Sequence, residues 1–153
     1  MSKSAYLYNN EGLASVAIGY FMKLHGVTTL SKAMLILPFV LHEPTVKKLK
    51  GRSFKRSLEE FILKNPECII NFNTRFQDFL PITINAISIL NDINVTQIVN
   101  DSLYYKRATN FSPELASNIG LRAKNIFKAI DVLDELMRDQ DSSSFYLKLK
   151  IEL

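Results

Sequence analysis

Apolar residues recur every three or four positions along most of this chain, and the spacing drops to two only between Val95 and Lys106 and again from Phe145 to Leu153. That change of period most narrows the fold. A period between three and four gives a helix one buried stripe, whereas a period of two gives a strand one buried face. Long stretches of the first and little of the second predict an α+β protein that is mainly α. The second kind is confined to a hairpin and one extra strand.

Helical spacing of Leu13, Val16, Ala17, Tyr20, Phe21 and Leu24 predicts a helix over Gly12–His25, capped by Asn10 and closed by Gly26. Ala5 to Asn9 reads as a short strand or an ordered arm. A second helix covers Ser31–Leu37. Pro38 bends or ends it, because proline lacks an amide hydrogen and clashes with the preceding turn. Leu37 to Leu41 is almost wholly apolar, so it should be a buried corner. Pro44 fits the first turn of a short helix carrying Val46 and Leu49.

Ser57-Leu58-Glu59-Glu60 is a capping box, opening a helix that turns Leu58, Phe61 and Ile62 inward. Asn65-Pro66 repeats the start signal for a stripe of Ile69, Phe72, Phe76, Phe79 and Leu80. Pro81 should break that helix, with another behind it carrying Ile84, Ile87 and Leu90. Val95–Lys106 reads as a hairpin turning at Asn100-Asp101, with Ile98 opposite Leu103 and Gln97 opposite Tyr104. Ser112-Pro113 opens the longest helix, to about Arg138, lined by Ile119, Ala123, Ile126, Phe127, Ile130, Leu133 and Met137. Phe145, Leu147, Leu149, Ile151 and Leu153 then alternate with Tyr146, Lys148, Lys150 and Glu152, the pattern of a half-buried C-terminal strand.

A length of 153 residues suits one domain, 1–153. Within it, helices 57–63, 66–80 and 82–93 with the hairpin make a winged-helix-like part over 57–107. The long helix 113–138 and the strand 145–153 follow.

Composition removes most catalytic chemistry. A single cysteine, Cys68, and two histidines, His25 and His42, leave no disulfide framework and no Cys-type zinc site. Five glycines and no Walker, Rossmann or nucleophile-elbow pattern leave no phosphate cradle or acyl-transfer site. His25 and His42 read as structural or capping residues, Cys68 as a packing residue, and Asp131, Asp134 and Glu135 as the solvated side of the long helix. The expectation is a non-enzyme with no cofactor and no metal. No apolar run approaches the roughly 20 residues that span a bilayer. The start, Met1 to Asn10, lacks a basic-then-apolar leader plan, so a soluble cytoplasmic protein is expected.

Charge is concentrated. Residues 47 to 56 hold Lys47, Lys48, Lys50, Arg52, Lys55 and Arg56 and no acid, while the whole chain is only +4. Without these six cations the remainder is −2. Such a patch suits a nucleic-acid backbone, where it would give salt-sensitive DNA affinity, or an acidic protein surface; it is also what a solvated loop looks like. Tyr104, Tyr105, Lys106 and Arg107 form a second candidate contact at the wing. The helix Ile82–Ile93 lacks Arg and Lys, which argues against base reading. Phe145, Leu147, Leu149 and Ile151 form a third candidate, a strand face that either pairs internally or docks a partner.

Several pieces, taken in order, resemble a known family. They are Asn10-Glu11-Gly12-Leu13, the run Leu37-Pro38-Phe39-Val40-Leu41-His42-Glu43-Pro44-Thr45, Ser57-Leu58, Phe72-Asn73-Thr74-Arg75-Phe76, and Phe79-Leu80-Pro81-Ile82-Thr83 with Ala86-Ile87. Over about residues 5 to 107 the chain resembles the small middle component of three-component ABC-type systems. That group includes the Lamassu anti-phage and anti-plasmid systems. The resemblance implies a non-catalytic adaptor between an SMC-like ATPase, of the chromosome-maintenance and break-repair kind, and an effector that is often a nuclease. DNA would be met through the complex, and no membrane is involved. The alternative from the residues alone is a homodimeric winged-helix regulator, with Pro113–Arg138 as the dimerisation element.

Overall fold

The fold is built around a largely buried helix. In the computed structural model α1 (Lys3–His25) buries Ala14, Ala17, Ile18, Phe21 and Met22 completely, with Ser15 and Tyr20 also covered. Residues 3–51, 57–106, 120–138 and 140–153 are described, the first eight of them by backbone alone. One apolar stripe was expected on α1. It is instead enclosed between α6 (Phe72–Asp92) and α7 (Leu121–Met137), so small residues such as Ala14 and Ala17 are as necessary as the large ones. The helix also begins earlier than Gly12. Asn10 lies inside it and is not its cap, and Ala5 to Asn9 is helix, neither strand nor arm. Gly26, at φ 82°, closes it by donating its amide to the Met22 carbonyl at 2.8 Å.

Four short elements follow α1. They are β1 (Val27–Thr29), α2 (Leu30–Ala33), α3 (Ile36–Val40) and α4 (Glu43–Leu49). Thr29 caps α2 through its hydroxyl. Pro38 sits within α3, whose five residues are all buried; Leu37 is fully enclosed and Leu41 half-buried. The expected apolar corner is therefore present, one element later in the chain than a single helix 31–37 would put it.

α5 (Leu58–Lys64) starts at the expected cap, where the Glu60 amide donates to Ser57 Oγ at 3.1 Å. The next helix does not start at Pro66. Pro66–Cys68 is a single 3-10 turn, Asn71 is left-handed at φ 60°, and α6 begins at Phe72. Arg75 explains the offset. Its guanidinium donates to the carbonyls of Cys68 at 2.7 Å, Ile70 at 2.8 Å and Pro38 at 3.3 Å, so carbonyls that helix amides would otherwise take are held by a side chain. α6 then runs without interruption through Pro81, against the expected break. Pro81 lies on the exposed face, where water can satisfy the carbonyl it leaves unbonded. The trio 57–63, 66–80, 82–93 of a winged helix is thus replaced by one short helix, one turn and one long helix.

The hairpin has the expected register. β2 (Thr96–Val99) and β3 (Ser102–Tyr105) pair with Ile98 opposite Leu103 and Gln97 opposite Tyr104, and Asn100 takes the positive φ of the turn. Among the described residues the sheet has three strands, ordered β1-β3-β2, because β1 adds antiparallel to β3. The hairpin therefore supplies the central strand and one edge of a small sheet.

α7 is shorter than the helix expected over 113–138. Gly120, at φ 108° and ψ −178°, is in a conformation open essentially to glycine alone and starts the helix at Leu121. Residues 113 to 119 lie outside the described residues. The C-terminal strand expected over 145–153 is a helix, α8 (Ser142–Lys148), which the Asp141 carboxylate caps through the Ser143 amide. Phe145 and Leu149 are four apart and both buried, whereas Leu147 is 81% and Leu153 100% exposed. Alternation over nine residues contains a helical i, i+4 pair, and packing uses that pair. Lys150, at φ 57°, ends the turn, and the chain then lies along α6. There the Glu152 amide donates to Asn73 Oδ1 at 2.9 Å and its carbonyl accepts from Gln77 Nε2 at 2.6 Å. Among the described residues no helix is long and apolar enough to cross a membrane.

Candidate functional site

α4 and α7 lie side by side and leave a groove between them. Their sequences determine which side chains face it. On α4, Val46 and Leu49 turn inward. Lys47 and Lys50, three residues apart, then share one exposed edge, while Lys48 points the other way and pairs with Glu67 at 3.8 Å. On α7, Ile126 turns inward, so Arg122 four residues earlier and Asn125 border the same opening. The floor is Val40, Leu41, Val46 and Ile126, and the cavity is about 320 Å³. Among the described residues Glu43 is the single carboxylate lining it, against Lys47, Lys50 and Arg122. Leu121, 74% exposed, stands at the mouth.

The basic run is thereby divided. Lys47 and Lys50 reach the groove, Lys48 does not, and Arg52, Lys55 and Arg56 lie outside the described residues. Arg122 was missed in the sequence because it is isolated there, more than seventy positions from Lys47; only the packing of α7 on α4 brings them together.

The wing candidates separate as well. Tyr104 faces outward from the sheet beside Val27 and Gln97, Tyr105 is half-buried against the core, and Lys106 Nζ donates to Asn94 Oδ1 at 3.3 Å. Arg107 lies outside the described residues. Of the C-terminal set, Phe145 and Leu149 are core residues, Ile151 is half-buried, and Leu147 is solvent-exposed. The α8 side chains are tied inward: Tyr146 Oη donates to the Ser31 carbonyl at 2.6 Å, and Lys148 pairs with Glu59 at 3.1 Å. Burial pushes the Tyr146 phenol up to about 12.

Residues that suggested chemistry are engaged in packing. His25 Nδ1 meets Asp134 Oδ1 at 2.7 Å with both side chains 7% exposed, and Arg138 Nη2 donates to the other Asp134 oxygen. Burial lowers the His25 pKa below that of free histidine, although Asp134 pulls in the opposite direction. Asp134 is therefore not on a solvated side, contrary to its reading in the sequence. Its neighbour Asp131 is exposed, yet accepts from Tyr20 Oη at 2.5 Å. Burial and the Asp131 carboxylate both raise the Tyr20 phenol well above its usual range. His42 shares a 2.7 Å hydrogen bond with Thr45 at the start of α4, and burial lowers its pKa, helped by the Arg75 charge. Cys68 is fully buried, which raises its thiol pKa. Among the described residues no three His, Cys, Asp or Glu side chains come together as a metal site.

The segments that carried the family resemblance also meet one another. Phe39 packs on Phe72 with ring centroids 4.8 Å apart, Arg75 lies over the Phe72 ring at 5.2 Å and reaches the Pro38 carbonyl, and Asn85 Nδ2 donates to Glu11 at 3.2 Å. They are joints of the fold.

The fold is a mainly helical α+β one, and among the described residues the groove between α4 and α7 is rimmed by cations. The family comparison is specific: residues 11–153 match the model of the ABC-three component (ABC-3C) system Middle Component 3, and the chain belongs to that family. No curated protein and no solved structure matches it.

Proposed function

We propose that this chain is a non-catalytic, cytoplasmic adaptor in a bacterial defence system of the Lamassu kind, directed against phage or plasmids. It joins an SMC-like ATPase that senses DNA to an effector, often a nuclease. The observation that carries this reading is membership of a middle-component family over residues 11–153. The geometry supports it: His25, Asp134, His42 and Cys68 are held in structural contacts, which leaves binding surfaces as the chain's exposed resource. DNA reaches the assembly through the ATPase.

Co-expression with the products of the neighbouring genes, followed by purification on a tag carried by this chain, tests the reading. A complex containing both an ATPase and an effector is expected; elution of this chain without either refutes it. The isolated chain is expected to show no hydrolase, nuclease or nucleotidase turnover. Turnover that scales with protein and disappears on a single-residue change would overturn the non-catalytic assignment.

A further inference from the structure

We infer that the groove between α4 and α7 docks an acidic peptide segment of a partner protein, anchored by an apolar side chain. The inference rests on the adaptor reading and names the surface and the chemistry of one contact.

Charge complementarity identifies the occupant. Lys47, Lys50 and Arg122 surround the opening, and among the described residues Glu43 is the one acid lining it. Among the described residues none of these three cations is in an ion pair, whereas Lys48, on the opposite side of α4, meets Glu67. The first turn of α7 lies at the same end, and its amide dipoles add to the positive potential. Anionic groups are therefore favoured at the rim, where they mainly set specificity and the rate of encounter.

The floor distinguishes a peptide from a nucleic acid. Leu41 is half-buried and Leu121 largely exposed, and between them the cavity of about 320 Å³ has room for one or two side chains. A phosphate backbone would satisfy the cations and leave this apolar surface wet. A peptide with carboxylates flanking a Leu, Ile or Phe would cover both.

The test uses the full chain and short overlapping peptides tiled across the ATPase and effector encoded beside it, read by fluorescence anisotropy, with a short DNA duplex as the competing probe. An acidic peptide with a central apolar residue is expected to bind and to weaken with added salt. Lys47→Glu combined with Arg122→Glu should cut that affinity about tenfold or more. Lys48→Glu should leave it unchanged, and circular dichroism should show both variants folded. An equal loss in Lys48→Glu overturns the inference, since it would indicate a diffuse field and not this groove. Binding of the duplex with no peptide bound also overturns it. Co-purification separates the two levels. If both partners are retained by Lys47→Glu/Arg122→Glu, the groove assignment fails and the adaptor stands; if the unaltered chain captures neither, the adaptor reading itself fails.

Discussion

Near its C-terminal end α7 carries Asp131 and Asp134, with Arg138 just beyond it, and their partners are Tyr20, His25 and Asp134 respectively. At its N-terminal end Arg122 stands beside Lys47 and Lys50 around an apolar opening, with no ion pair to any of them among the described residues. The same helix thus uses charge in two ways. Asp134 is buried and is held by two partners, because an unpaired buried charge is costly to desolvate. Surface cations gain little from pairing within the chain and remain available to another molecule. A cluster of like charge over an apolar floor is accordingly a better guide to a binding site than the number of charges in a run.

The largest effect should come from α3, which packs against α1, α4, α6 and α7. Leu37→Ala, in the enclosed corner before α4, should cost about 2–5 kcal/mol in denaturant unfolding, as other large-to-small core changes do. A loss under 1 kcal/mol would mean that the corner does not brace the packing. Next, Asp134→Ala removes the acceptor shared by His25 and Arg138 and should cost about 1–3 kcal/mol, with a lower melting temperature. An unchanged midpoint would erase the contrast between the two ends of α7.

Stability should also respond to pH. Burial lowers the His25 and His42 pKa values below that of unfolded histidine, about 6.5, so unfolding takes up protons as the pH falls through that value. Stability should therefore decline from pH 7 toward pH 5. Urea midpoints across that range check it, and His25→Gln should flatten part of the slope. The smallest effect belongs to the groove. Lys47→Ala and Arg122→Ala should each alter stability by no more than about 0.5 kcal/mol. A larger loss would show that these cations already serve the fold.

Local signals were legible in the sequence. The Ser57 cap, the Asn100-Asp101 turn with its register, and the buried corner at Leu37 each depend on residues a few positions apart. What escaped depends on distant ones. Nothing near Val27 announces that it will pair with Tyr104, and nothing near Arg75 announces that it will hold the Pro38 carbonyl. Asp134 looked solvated because its partner His25 lies 109 positions away. The C-terminal helix was misread for a different reason. Phe145 and Leu149 satisfy both a period of two and an i, i+4 spacing, and Asp141 as a cap was the signal that separates them. For the site, Lys47 and Lys50 were visible, whereas Arg122 and the apolar floor were not.

The sheet has a kinetic consequence. β2 and β3 are neighbours in the chain, so their hairpin closes a short loop, but Val27 must find Tyr104 across 77 positions. Closing a loop that long costs about 4 kcal/mol in chain entropy beyond a constant, recovered only once the helices have brought its ends together. β1 should therefore join the sheet late in folding and leave it early during local opening. The Tyr105 amide, bonded to the Gly26 carbonyl at 2.8 Å, would then exchange its hydrogen for deuterium in step with the end of α1, and not with the strand to which it belongs.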